Sequence, residues 1–446
     1  MLPTAIPYDI TAAIFHELQD DRPALLNCST VCRAFAVISQ TQLFRSICLS
    51  SSKKSLLCPK LYRLLTHSSH IAPLIRHLTI WAGWRRFTEG TVLKPVSWVF
   101  TEPTLAPLLS MLSDLKSLDI DSSTFTLDWY KLPPDLQSSL LRLFQTPTLT
   151  SIDLKCMSMP GSVFAQAAQL ENLHLHECVV DCSEAALSPL DDRSSDSASG
   201  TALSTTTRKP TIKSFMGVKG CGKISRTEGL TTVVDFTRLR ELALRGFDID
   251  TVKNAGNLMR ECPSSLEVLR WEVSMGSVDN ETNAHLSCLN LPPSLRVLEV
   301  TFSDWHPHLD HQVGNWDILA WVVHVLKNHA LQHGTVPSNF EELSFKFVAM
   351  FHQAARFYDL VSLKAWEELD GLLTSSNAFG NFRRATFTLA VKFQAFSEGD
   401  MNKQWIIPLT KRLARLHARQ ALFLSAGSLH TGTDAEFWRG IGATPV

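Results

Sequence analysis

One short pattern returns along most of this chain and limits what it can fold into: apolar-x-x-apolar-x-apolar. It stands at Ile75-Leu78-Ile80, Leu115-Leu118-Ile120, Leu149-Ile152-Leu154 and Leu170-Leu173-Leu175. After a gap it resumes at Leu239-Leu242-Leu244, Leu266-Leu269-Trp271, Leu295-Leu298-Val300 and Phe340-Leu343-Phe345, with weaker copies at Ile212-Phe215 and Phe382-Ala385-Phe387. The last two residues of each triplet are separated by one position, as the buried face of a strand requires. Successive starts differ by 21 (149 to 170), 27 (239 to 266) and 29 (266 to 295) residues, while gaps of 40 (75 to 115) and 45 (295 to 340) leave room for insertions. Helical fillers are legible at Leu105 to Leu112, Leu136 to Phe144, Val252 to Arg260 and Trp316 to Leu326. Strands alternating with helices, each stacked on the next, predict an α/β fold with a curved parallel sheet and outer helices on its convex side.

The copy at Leu170 extends through Cys178 to Val180, which completes the leucine-rich-repeat signature in its cysteine form. Phe125, Met159 and Ile249 keep the later apolar position elsewhere. Residues 51–425 therefore read as an irregular leucine-rich-repeat-like solenoid, interrupted at 181–211. Within that interruption Ser183 to Pro210 has almost nothing to bury, and reads as a disordered insertion open to phosphorylation. Near the end, Pro408 opens a helix running to Arg419 with Leu409, Leu413 and Leu416 inward. Its Lys411, Arg412, Arg415 and Arg419 form a solvated face, with the later ones well placed against the helix C-terminus. Ala421 to Leu424 reads as a last strand and 426–446 as a tail.

Ahead of the repeats, Ile6 to Leu49 reads as three helices and a strand. Pro7 suits a first helical turn. Ile10, Ile14 and Leu18 recur every four residues on one face. Asp20 or Asp21 caps a second helix carrying Leu25 and Leu26, and Ser29 or Thr30 a third with Val31, Phe35 and Ile38 on one side. Three helices in about forty residues bury too little apolar surface to be secure alone, so they lean on a neighbour or partner.

This segment resembles an F-box of the fungal type. Ile6-Pro7 stands where the family has Leu-Pro, and Asp9-Ile10, Ile14 and Leu18 follow at its spacing. Leu25, Val31-Cys32-Arg33 and Phe35 complete the later half, with Phe35 in place of the usual Trp. The resemblance implies docking to a Skp-family adaptor of a cullin–RING ubiquitin ligase, through Pro7, Ile10, Ile14, Leu18, Leu25, Val31, Cys32 and Phe35.

Charge and cysteine usage exclude other classes. The 42 basic residues are offset by 43 acidic ones, so no whole-protein field favours nucleic acid or an anionic membrane. Ten scattered cysteines without a CxxC pair read as reduced thiols, which suits the cytoplasm or nucleus. The first residues have no basic region of a signal peptide, and the longest apolar run, Ile318 to Leu326, contains His324 and is about half a membrane span. The expectation is a protein free of the membrane.

No pattern points to catalysis. Gly217 to Ser225 nearly matches the phosphate loop G-x-x-x-x-G-K-[ST], but Ile224 replaces the hydroxyl that would hold magnesium. Trp305 to His311 clusters His306, His308, Asp310 and His311 without a second ligand group, and His174 and His176 share one strand face. They read better as loop and binding-surface residues than as metal ligands. No cofactor is expected. The polar positions between buried ones define the expected target surface: Asp119, Asp121 and Asp153 first, then Lys155, His174 and His176, then Arg245, Arg270, Glu272 and Glu299. The whole reads as a substrate-recognition subunit of an SCF-type ligase acting by proximity. A scaffold that binds the adaptor without a cullin, and a nucleotide-dependent repeat protein using Gly217 to Lys223, are the alternatives.

Overall fold

Local chemistry sets the first three helices: α1 (Tyr8–Glu17), α2 (Arg22–Ser29) and α3 (Arg33–Arg45). Pro7 is the N-cap of α1 and accepts from the Thr11 N–H through its carbonyl. Asp21 caps α2 by accepting from the Ala24 N–H at 3.0 Å, with Pro23 in the first turn. The cap of α3 differs from expectation. It is Cys32, in extended backbone and without a side-chain bond, while the Ser29 and Thr30 hydroxyls donate back to Leu26 and Asn27 carbonyls and close α2.

The computed structural model describes residues 7–52, 55–83, 97–122, 125–183, 209–218, 229–246, 249–274, 289–303, 317–334, 338–349, 363–391 and 402–428. The chain divides into two compact units, Met1–Lys213 with Lys219–Asp235, and Ser214–Val218 with Phe236–Val446. The division falls inside the 51–425 region read as one solenoid, and the three helices share the first unit with the early repeats.

In the first unit α3 runs straight into β1 (Ser46–Ser52), which turns back as β2 (Ser55–Leu56) into α4 (Leu57–His67). Then follow β3 (His77–Trp81), α5 (Leu105–Ser110), β4 (Ser117–Asp121), β5 (Leu127–Asp128), α6 (Pro134–Phe144), β6 (Ser151–Lys155), β7 (Met157–Pro160), α7 (Ser162–Ala165), β8 (Asn172–His176) and β9 (Val179–Asp181). Strands β1, β3, β4, β6 and β8 pair in parallel in that order. The repeat is a register. Ile47, Leu78, Leu118, Ile152 and Leu173 lie side by side, and so do Leu49, Ile80, Ile120, Leu154 and Leu175. Phe44-Ile47-Leu49 is thus a further copy of the pattern. From β3 to β8 these inward residues and the first residue of each triplet are buried, as are Leu105, Leu108 and Leu109 of α5 and Leu136, Leu140 and Leu143 of α6.

A second, three-stranded sheet, β5-β7-β9, was not legible in the periodicity. It is reached through Cys156 and Glu177, each one residue past its strand and each left-handed, at φ 54° and 55°. Cys178 then turns inward and donates its thiol hydrogen to the Leu154 carbonyl at 3.2 Å. This bond ties the turn after β8 to the end of β6.

The second unit contains β10 (Ser214–Val218); the short α8 (Leu230–Val233) lies in the first. The second continues with β11 (Glu241–Arg245), α9 (Ile249–Glu261), β12 (Val268–Ser274), β13 (Val297–Ser303), α10 (Asp317–His333), β14 (Glu342–Ala349), α11 (Ala365–Ser375), β15 (Arg384–Val391), α12 (Ile407–Arg412), α13 (Ala414–Ala418) and β16 (Leu422–Ser428). Its seven strands among the described residues are parallel and in chain order. Phe215, Leu242, Leu269, Leu298, Leu343, Ala385 and Leu422 form one ladder. Aromatic residues fill the core: Trp271 packs on Trp321 of α10, and Phe345 stacks on Phe387 with Trp366 of α11 edge-on to both. Gly246 (φ 127°) takes the same place after its strand that Cys156 and Glu177 take after theirs.

Four expectations need correction. Gly217 stands in β10, paired with Leu244, and not in a loop. The helix expected from Pro408 to Arg419 is two short helices broken at Leu413 (φ −105°, ψ 42°), although Leu409, Leu413 and Leu416 are all buried as predicted. Of its basic residues, Arg412 pairs with Glu367, and Arg415 and Arg419 donate to Ser375 and to the Thr374 carbonyl, so three of the four tie down α11. The final strand also runs on to Ser428. Most of the 181–211 interruption, residues 219–228 with most of the near match to the phosphate loop, and Trp305 to His311 lie outside the described residues.

Candidate functional site: a helical docking surface and a polar strand face

The helical segment has a small core of its own. Phe15, Leu25 and Ile38 are buried together, with Leu18, Cys28, Phe35 and Leu43 packed around them, and the Phe15 and Phe35 rings meet edge-on at 5.2 Å. The inward face of α1 is Thr11-Phe15-Leu18, which turns the neighbouring Ile10 and Ile14 outward. Those two are 50% exposed, Leu26 56%, Val31 67% and Val37 54%. These five of the twelve large apolar side chains exposed among the described residues fall within 10–37. Single exposed apolar residues are ordinary; five on one small bundle make it a candidate interaction surface.

The expected adaptor residues therefore split. Pro7, Ile10, Ile14, Val31 and Cys32 are exposed, while Leu18 and Phe35 are half-buried against the bundle core. Leu25 is a correction: it is fully buried, and packs the bundle without reaching its surface. Leu26, named on the second helix but not among the adaptor residues, and Val37, passed over for Val31, Phe35 and Ile38, are exposed as well.

On the strand face of the first unit, the register brings together the residues expected there. Thr79, Asp119, Asp153 and His174 form one row, and Trp81, Asp121, Lys155 and His176 the next. Lys155 Nζ lies 3.5 Å from Asp121 Oδ2. Asp153 is flanked by His174 Nδ1 at 3.7 Å and His176 Nε2 at 3.8 Å. Asp119 bonds to Thr79, but its enclosed Oδ1 accepts no hydrogen bond. Burial, reinforced by the Asp153 charge, pushes the Asp119 carboxyl up to about 6. Burial acts on Asp153 in the same sense, but His174, His176 and Lys155 outweigh it and hold that carboxyl below its ordinary value. For Lys155 burial is outweighed by the three aspartates, which raise its affinity for its proton. Trp81, 52% exposed between Ser50 and Asp121 in its row, was missed because only polar positions were sought.

On the corresponding face of the second unit the charges answer one another. Arg245 pairs with Glu272 at 3.3 Å, and Arg270 joins Glu299 at 2.8 Å and Glu241. Arg384 lies over the exposed Phe423 ring at 4.6 Å from its centroid. Burial lowers the Lys346 pKa, with Glu299 and Glu272 pulling the other way. Among the described residues no group of three His, Cys, Asp or Glu side chains is placed to hold a metal ion, and no helix is long and apolar enough to cross a membrane.

No curated protein matches the chain. Residues 4–50 match the family model described as F-box-like, so α1, α2, α3 and the start of β1 form an F-box-like domain.

Proposed function

We propose that this chain is the substrate-recognition subunit of an SCF-type cullin–RING ubiquitin ligase. The F-box-like domain docks a Skp-family adaptor, and through it the cullin. The repeats form a leucine-rich-repeat-like solenoid whose polar strand face holds a protein target. The chain contributes proximity and performs no chemistry of its own, in the cytoplasm or the nucleus. The observation that carries this reading is the concentration of exposed Ile10, Ile14, Leu26, Val31 and Val37 on a domain with so small a core. Each is about half exposed, so covering it yields on the order of 1 kcal/mol, and roughly 5 kcal/mol for the five together before the cost of association.

The test is size-exclusion chromatography of the full chain with a Skp-family adaptor, then with the cullin added. Co-elution with both supports the proposal. Failure to elute with the adaptor refutes it, and an adaptor complex that excludes the cullin makes the chain a scaffold.

A further inference from the structure

Building on the reading of the strand face as the target surface, we propose that β3, β4, β6 and β8 bind a lysine- or arginine-rich segment of the partner protein. Among the described residues, the inward side chains of each of these strands are buried while their polar neighbours stay partly open. Its fixed charges do not cancel. Three carboxylates, Asp119, Asp121 and Asp153, meet one ammonium, Lys155, which lies nearest Asp121. Leaving the two imidazoles beside Asp153 out of the count, three negative charges against one positive give a net −2.

The excess is concentrated. Asp119 and Asp153 are lateral neighbours on adjacent strands, and the enclosed Oδ1 of Asp119 accepts no hydrogen bond. Burial is the main cause of the raised proton affinity of Asp119, and the Asp153 charge beside it adds to the rise. Trp81 supplies what a bare acidic cluster lacks. It is beside Asp121 in the register, more than half exposed, and its ring suits a guanidinium or ammonium. The second unit provides the contrast, because there Arg245 and Arg270 already bridge to glutamates. Charge complementarity therefore assigns a basic segment to the first unit's face.

The experiment uses the full chain bound to its adaptor, with fluorescent peptides of equal length that alternate serine with lysine, with glutamate or with glutamine. The lysine peptide should bind at least about tenfold tighter than the other two, and that advantage should collapse between 0.05 and 0.5 M salt. The double variant Asp119→Asn and Asp153→Asn should abolish the preference, and Trp81→Ala should weaken binding several-fold. Should the double variant unfold, Trp81→Ala, at a more open position, and the single change Asp121→Asn give the reading instead. Equal affinity for the three peptides, or an undiminished lysine preference in folded variants, overturns the inference. Adaptor binding, read on the same samples, separates this failure from failure of the F-box reading.

Discussion

Asp119→Asn should stabilise the first unit at neutral pH, which is an unusual outcome for a polar substitution. The ordinary aspartate value is 3.8 and burial raises that of Asp119 to about 6. Between pH of about 4 and 6 the folded chain keeps a proton that the unfolded chain has lost, so stability falls as pH rises through that window. Above 6 the whole penalty is present. Two units at 1.36 kcal/mol each set an upper bound of about 3 kcal/mol, and partial solvent access brings this to roughly 1–2 kcal/mol. Asparagine is isosteric, is neutral at every pH, and can still accept from Thr79. It also relieves Asp153, whose charge Asp119 opposes. Amide exchange of Leu118 and Ile120 in β4 provides the assay, because it reads the opening of the first unit alone. At pH 7.5 those amides should exchange about 5- to 30-fold more slowly in the variant than in the parent chain, and at pH 4 the two should converge. A variant that exchanges faster at pH 7.5, or one with the same advantage at both pH values, would refute the electrostatic account.

Three further outcomes follow from particular contacts. Ile14→Asp places a charge on an exposed position, so the chain should stay folded by circular dichroism while adaptor affinity drops a hundredfold or more in a titration, at about 1.4 kcal/mol per tenfold. Asp370 is buried and accepts from the Arg415 and Leu416 backbone N–H groups at 3.1 and 2.8 Å, so Asp370→Ala strands two donors and should cost about 2–4 kcal/mol in urea unfolding of the second unit. Gln420 is left-handed at φ 58° just past α13, so Gln420→Gly should raise stability by about 1 kcal/mol in the same measurement.

The sequence disclosed what depends on local periodicity. Each full triplet became a strand, and its register followed, because shifting a strand by one residue would turn its whole apolar set outward. The polar row Asp119, Asp153 and His174 was legible for the same reason. What stayed hidden depends on contacts between distant residues. The apolar residues of α1 occupy two faces, and only the packing of Phe15 on Phe35 and Leu25 decides which is inside. The sheet β5-β7-β9 rests on left-handed turns at Cys156 and Glu177, where neither residue type announces such a backbone. Only Gly246, at the equivalent place, carries the signal. The pairing of Arg412 with Glu367 spans 45 residues, so the basic helix looked solvated when read alone.

The join between the F-box-like domain and the repeats bears on how such a subunit would work. No linker separates them: α3 ends at Arg45, Ser46 is already extended, and β1 takes its place beside β3 with Ile47 and Leu49 continuing the inward ladders. The Arg76 N–H donates to the Arg45 carbonyl, so the helix end itself enters the strand ladder. Neighbouring strands lie about 4.8 Å apart, which sets β6 and its Asp153 roughly 14 Å along the sheet from β1. The separation between the exposed apolar residues of the helices and the acidic strand face is thus fixed by backbone hydrogen bonds within one unit. In a receptor that acts by proximity, that stiffness has a use: a target segment held on β4 and β6 keeps a constant distance from the adaptor. Inserting two or three glycines after Arg45 would remove the constraint while leaving each surface intact. Ubiquitin transfer to a target bound with unchanged affinity should then slow, and an unaltered rate would show that the geometry of the join is irrelevant.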